Sequence, residues 1–84
     1  MKNKLLVELV VPEIDQKYNI YIPINKKVGS LIGLLNKAVS ELTNGLYIGT
    51  DKSFIYDRLT GERYDVNMLI KNTNIKNGTS LILL

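Results

Sequence analysis

The 84-residue chain has no cysteine, no histidine and no tryptophan. Without cysteine there is no disulfide and no thiol nucleophile, and without cysteine or histidine the common zinc sites have no ligands. The missing histidine also removes the side chain that most often exchanges a proton near neutral pH. Stability therefore has to come from apolar packing, and a chain of this length builds one core. Long hydrophobic runs are missing too: nothing approaches the roughly 18 consecutive apolar residues that cross a bilayer. Lys2-Asn3-Lys4 followed by Leu5-Leu6-Val7 imitates the start of a signal peptide. However, Glu8 interrupts the run, Pro12-Glu13 ends it, and no small-residue cleavage site follows. These absences predict one soluble, cytoplasmic domain over residues 1–84 that is not an enzyme and that reaches the inner face of a membrane only through a partner. The net charge of +3 is too small to name that partner.

What is present alternates between two periods. Residues 4–11, KLLVELVV, read as a strand in which Glu8 sets the phase. Lys4, Leu6, Glu8 and Val10 then take one face, and Leu5, Val7, Leu9 and Val11 the other. Pro12 and Asp15 mark a turn, and residues 17–24 alternate again with Ile20 and Ile22 inward and Lys17, Asn19, Tyr21 and Pro23 outward. Pro23 donates no ladder hydrogen bond, which suits a sheet edge or strand end. Beyond Asn25, the expected N-cap, Val28, Leu31, Ile32, Leu35, Val39 and Leu42 fall at helical spacing. Asn44-Gly45 ends that helix. Residues 46–52 read as a loop and 53–57 as a strand with Phe54 and Tyr56 inward and Ile55 outward. Residues 58–62 form a turn, 63–65 a short return strand, and 66–72 one or two helical turns with Met68, Leu69 and Ile70 partly buried. Asn77-Gly78 is a tight-turn signal, followed by a last strand with Leu81 and Leu83 inward.

About five strands and one main helix make an α+β domain of two layers, the helix packed on one face of a mixed sheet. This order resembles the ubiquitin-like β-grasp fold over essentially the whole chain, and residues 74–83 look like the last turn and strand of ubiquitin itself. A closer likeness is to the YukD/EsaB family of ubiquitin-like proteins of bacterial type VII secretion. It is carried by the Leu-Val-x-Leu-Val-Val-Pro-Glu opening at 6–13, by Ile22-Pro23-Ile24-Asn25-Lys26-Lys27-Val28-Gly29, by residues 34–38, and by Tyr56-Asp57-Arg58-x-Thr60-Gly61-Glu62. The resemblance implies a non-enzymatic cytoplasmic adaptor or regulator that binds a protein component of the secretion machine, the membrane ATPase among the candidates. The many Asn, Ile and Lys residues fit an AT-rich bacterial genome. Ubiquitin and the related sulfur carriers act through an extended Gly-Gly tail, whereas this sequence stops at Leu84 in its last strand, so conjugation and sulfur transfer are not expected.

The features that could bind something lie on the helix-free face. A face that meets only water should be polar, yet Leu6, Val10, Tyr21, Ile55, Ile82 and Leu84 fall there among Lys4, Glu8, Lys17, Asn19 and Ser80. In a ubiquitin-like strand order Leu6, Ile55, Ile82 and Leu84 become neighbours, and by resemblance Ile55 and Leu84 stand at positions of ubiquitin's apolar recognition patch. Leu6, Tyr21, Ile55, Ile82 and Leu84 are therefore the expected protein-binding residues, weighed against scattered exposed apolar side chains of no consequence. A homodimer contact satisfies the same pattern. The lysines raise an alternative, a small nucleic-acid-binding regulator, but they are dispersed among acidic residues and no RNA-binding motif accompanies them. Asp51, Asp57, Glu62 and Asp65 show no metal-ligand spacing, and Asp57 with Arg58 and Thr60 is expected to shape a turn. No metal and no cofactor is expected.

Overall fold

The computed structural model describes residues 3–50 and 52–84. Strand β1 (Lys4–Val11) leads through a single 3-10 turn (Pro12–Ile14) into β2 (Gln16–Pro23). Helix α1 (Val28–Leu42), strand β3 (Ile55–Asp57), a second 3-10 turn (Ile70–Asn72) and strand β4 (Ser80–Leu83) follow. The connection between β1 and β2 needs one residue in the left-handed region, and Asp15 supplies it at φ 51°, an excursion that short polar side chains tolerate better than most.

The sheet order is β2-β1-β4-β3. β1 pairs antiparallel with β2 and parallel with β4, and β3 pairs antiparallel with β4, so the sheet is mixed. A fifth strand was expected at residues 63–65. That segment contributes only an isolated bridge from Arg63 to Tyr56, leaving four strands among the described residues.

The helix buries Val28, Leu31, Ile32, Leu35 and Val39 against one face of the sheet. The sequence periodicity located it correctly, but Asn25 is not its cap. The N-cap is Lys27, and its side chain makes no capping bond. Backbone carbonyls from a distant loop do that work: Val28 N–H donates to Met68 O and Gly29 N–H to Val66 O, each at 2.9 Å. Helix N-termini expose unpaired N–H groups, and here tertiary structure pairs two of them without a cap residue. The glycine matters, since a Cβ at position 29 would meet the Val66 carbonyl oxygen at 3.2 Å. At the other end Asn44 (φ 54°) and Gly45 (φ 82°) turn the chain, and Gly45 N–H donates to Ser40 O at 2.8 Å.

The core is one cluster. From the sheet it takes Val7, Leu9, Val11, Ile22, Ile55, Leu81 and Leu83, and from the loops Tyr47, Ile70 and Ile75. Leu69 and Ile70 are covered as expected, whereas Met68 stays exposed beside them.

One expectation is reversed. Ile55 is fully buried, at 0% exposure, and Tyr56 takes the outer side. The register explains the inversion: Ile55 lies opposite Leu83 and Asp57 opposite Leu81. Paired residues share a face, so the inward leucines of β4 carry Ile55 and Asp57 inward with them. Phe54, just outside the strand, is half-buried and packs against the core with the Arg63 guanidinium over its ring at 4.4 Å.

Candidate protein-binding face

The ladder pairings lay out the helix-free face row by row. Lys17, Val10, Ile82 and Tyr56 form one row across β2, β1, β4 and β3. Asn19, Glu8 and Ser80 form the next. Tyr21 and Leu6 form the third, where the turn before β4 takes the place of a strand: Leu6 N–H donates to Asn77 Oδ1 at 2.9 Å and Gly78 N–H to Leu6 O at 2.8 Å. A shallow concavity opens there, lined by Leu6, Tyr21, Lys4, Glu8, Asn19 and Asn77 among others.

The middle row is a polar band. Glu8 Oε1 accepts hydrogen bonds from Ser80 Oγ at 2.7 Å and from Arg58 Nη1 at 3.2 Å. The five expected binding residues are consequently scattered instead of gathered. Leu6 and Tyr21, 39% and 52% exposed, sit together at one end. Ile82 is half-buried beyond the band, between Val10 and Tyr56. Leu84 is 63% exposed but lies past the end of β4, in a groove with Pro12, Ile48 and Lys52. Ile55 leaves the set, because its side chain is in the core. Tyr56 holds the outer position next to Ile82 that sequence reading gave to Ile55. No signal in the sequence alone marks it, because the pairing of Tyr56 with Ile82 that puts both on one face is a property of the β3–β4 register.

Asp57 does shape the turn. Its Oδ1 accepts from Leu59 N–H at 2.9 Å, its carbonyl from Gly61 N–H at 2.7 Å, and Gly61 adopts φ 76°. Arg58 has no part in this and reaches across to Glu8 instead. The Tyr64 hydroxyl donates to Asn74 Oδ1 at 2.8 Å and approaches Asp57 Oδ2 at 3.4 Å. Burial, and then the Asp57 carboxylate with Glu62 behind it, pushes its pKa up to about 12, so the phenol stays a donor. Among the described residues no three His, Cys, Asp or Glu side chains converge on a point where a metal could sit; Asp51 lies outside the described residues. The helices among them include none long and apolar enough to cross a membrane.

The fold also assembles a small basic cluster from lysines far apart in sequence. Ile70 N–H donates to Lys26 O and Lys71 N–H to Ile24 O, and Lys27 bridges Leu69. These bonds hold the backbones of Lys26, Lys27 and Lys71 together, and all three residues are exposed. Lys37 lies farther along the helix, and Lys2 lies outside the described residues.

No family model matches the chain, and neither does any curated protein sequence. Solved structures do match. The chain is similar to a chain of the MycP5-free ESX-5 inner membrane complex, at 14% identity and a TM-score of 0.72, over 98% of this chain. It spans only 21% of that larger chain. It is similar to the ubiquitin-like domain of yeast Ddi1, at 13% identity and a TM-score of 0.69, covering 96% of this chain and 87% of that one. A chain of the toluene 4-monooxygenase HD complex is similar at 7% identity and a TM-score of 0.72, with 95% of each chain covered. Proteins so different in name share one backbone, and at these identities the likeness establishes architecture alone. The chain has the ubiquitin-like β-grasp fold, with one main helix on one face of a mixed four-stranded sheet.

Proposed function

We propose that the protein is a non-enzymatic, cytoplasmic adaptor or regulator of a bacterial type VII secretion system, of the YukD/EsaB kind, acting by binding a protein component of the machine. The membrane ATPase is the first partner to test. Three things support the reading: the motifs at 6–13, 22–29 and 56–62, the ubiquitin-like fold, and the structural likeness to a chain of the ESX-5 inner membrane complex. The observation that carries it is the Leu6–Tyr21 pair, two large apolar side chains exposed side by side on the face that the helix leaves bare. Flanking Lys4 and Glu8 give that spot the mixed apolar and charged character of a protein-binding rim. The lysine cluster at 26, 27 and 71 suits an acidic region of the same partner. It is also the one observation in favour of nucleic-acid binding, and three lysines supply little of the phosphate neutralisation such binding needs.

The test is affinity capture from detergent-solubilised cells with the wild type and a Leu6→Glu/Tyr21→Glu variant, followed by mass spectrometry. The variant is expected to keep its circular dichroism spectrum and thermal transition while losing a secretion component that the wild type retains. Equal recovery of that component by both proteins rules out this surface. Recovery of nucleic acid, with binding that falls steeply as salt rises, replaces the proposal by the alternative.

A further inference from the structure

The two edges of the sheet are finished in different ways. On β1, Leu6 and Glu8 turn their backbone groups toward β4 and the preceding turn: Leu6 N–H donates to Asn77, Glu8 N–H to Thr79 O, and Leu6 O accepts from Gly78 N–H. Leu5, Val7, Leu9 and Val11 therefore bond β2, through their partners Ile22, Ile20, Tyr18 and Gln16. By the same alternation Lys17, Asn19 and Tyr21 point their N–H and C=O groups away from the sheet. None of the turn, loop or cap hydrogen bonds among the described residues uses them. The opposite edge, β3, is closed: Asp57 N–H donates to Glu62 O at 2.8 Å and Tyr64 N–H to Ile55 O at 3.0 Å, so the return segment covers its outward groups. One edge is capped; along the other, the outward backbone groups of Lys17, Asn19 and Tyr21 have no partner strand among the described residues.

We propose that β2 is a self-association edge, which pairs antiparallel with β2 of a second copy about a two-fold axis at Asn19. Three features select a second copy as the occupant. The first is register. With Asn19 opposite Asn19, Lys17 falls opposite Tyr21 in both directions, so every outward N–H of one copy meets an outward C=O of the other. The ladder also stops where it must: Pro23, which has no N–H, falls opposite Asp15, which has already left the strand at φ 51°. The second is charge. No like charges face each other, and the Lys17 stem lies against the exposed Tyr21 ring of the other copy, a favourable cross-strand pair. The third is the helix. Gly29, Ile32 and Asn36 face the β3 side, in a groove with Phe54 and Val66, so the flank formed by Leu34, Ala38 and Leu42 faces the β2 side. Leu34 and Leu42 are 50% and 59% exposed there, and an added strand places its inward side chains (Tyr18 and Ile20 of the second copy) toward that flank. Leu6 and the Val10–Ile82–Tyr56 row stay uncovered on both copies, while the Tyr21 edge of the proposed binding spot meets Lys17 of the other copy.

The test is sedimentation equilibrium of the full chain from about 1 µM to about 1 mM, a range that spans tight and weak association. It is paired with NMR hydrogen exchange on the backbone amides. The wild type is expected to dimerise, with the amides of Lys17, Asn19 and Tyr21 gaining protection as concentration rises. Asn19→Lys and Asn19→Glu each set two like charges on the axis and should weaken the dimer at least about tenfold without changing the monomer's spectrum. Mixing the two variants should restore association as a heterodimer. A wild type that stays monomeric throughout, protection gained elsewhere, or a mixture that fails to associate overturns the proposal. If a strand-forming peptide rather than a second copy protects those three amides in a monomer, the occupant is a foreign extended segment and the self-association reading is wrong.

Discussion

The two faces of the sheet break their own rules in opposite ways. The helix-covered face is apolar except for Asp57, and the open face is polar except for Leu6, Tyr21, Val10, Ile82 and Tyr56. Asp57 is fully provided for, with a backbone N–H and a phenol directed at its two carboxylate oxygens. The apolar residues of the open face have no such provision. An exception that the molecule has satisfied internally is structural; one left unsatisfied asks for an external partner. Substitutions on the covered face should therefore act on stability, and those on the open face on binding.

The largest effect that separates the faces is expected at neighbouring β3–β4 positions. Ile55→Ala empties part of the core and should cost about 2–5 kcal/mol, while Ile82→Ala, half-exposed on the other side, should cost no more than about 1.5 kcal/mol. Urea denaturation of both variants measures the ratio. Near-equal losses would mean that Ile82 belongs to the core too. Asp57→Ala comes next, at about 1–3 kcal/mol, because it strands the Leu59 N–H and removes the acceptor facing Tyr64. Loss of the 58–62 turn from the hydrogen-exchange pattern should accompany it.

Tyr64 makes its burial beside Asp57 visible through pH. Its pKa is 10.0 when unperturbed and about 12 in the folded protein. Between these values the unfolded chain has lost the phenolic proton and the folded chain still holds it. The stabilisation is thus fully present below pH 10 and is lost as pH rises through 12. Tyr64→Phe should cost about 1 kcal/mol at neutral pH through the lost bond to Asn74, and should show a shallower decline in thermal stability across that alkaline window. Parallel curves for wild type and variant would show that neither burial nor the Asp57 carboxylate raises the pKa of this hydroxyl.

Much of this was readable in advance, and the failures share a cause. β1, the helix and β4 each carry enough residues for their periodicity to set phase, so Val7, Leu9, Val28, Leu31, Leu35, Leu81 and Leu83 were placed inward from spacing alone. β3 has three residues. Phase cannot be read from so short a run, and two flanking aromatics outvoted one isoleucine until the Leu83 pairing decided the matter. Asn25 failed as a cap for a related reason: the groups that bond the helix start are carbonyls distant in sequence, Met68 O on Val28 N–H and Val66 O on Gly29 N–H. The binding surface was half legible. Alternation assigned Leu6, Tyr21 and Ile82 to the open face, but their distribution depends on the β1–β4 register, which sets Glu8 and not Leu6 beside Ser80.

That register yields the smallest and most discriminating effect. Arg58 and Glu8 are partly exposed, and their ion pair is of the kind worth about 0–1 kcal/mol. Glu8→Gln should lower stability by no more than that, and the difference from wild type should shrink as salt screens the pair. Yet Glu8 is what divides the Leu6–Tyr21 spot from the Val10–Ile82–Tyr56 row. Glu8→Leu should join them into one apolar strip across the sheet, leaving the thermal transition within a few degrees of wild type while light scattering shows new association through the open face. Because that association does not use the β2 edge, it should persist when Asn19→Lys is added. Abolition by the second substitution would place the two contacts on one surface. Persistence would mean that a single carboxylate, nearly worthless to the fold, keeps the open face of the free protein from binding copies of itself.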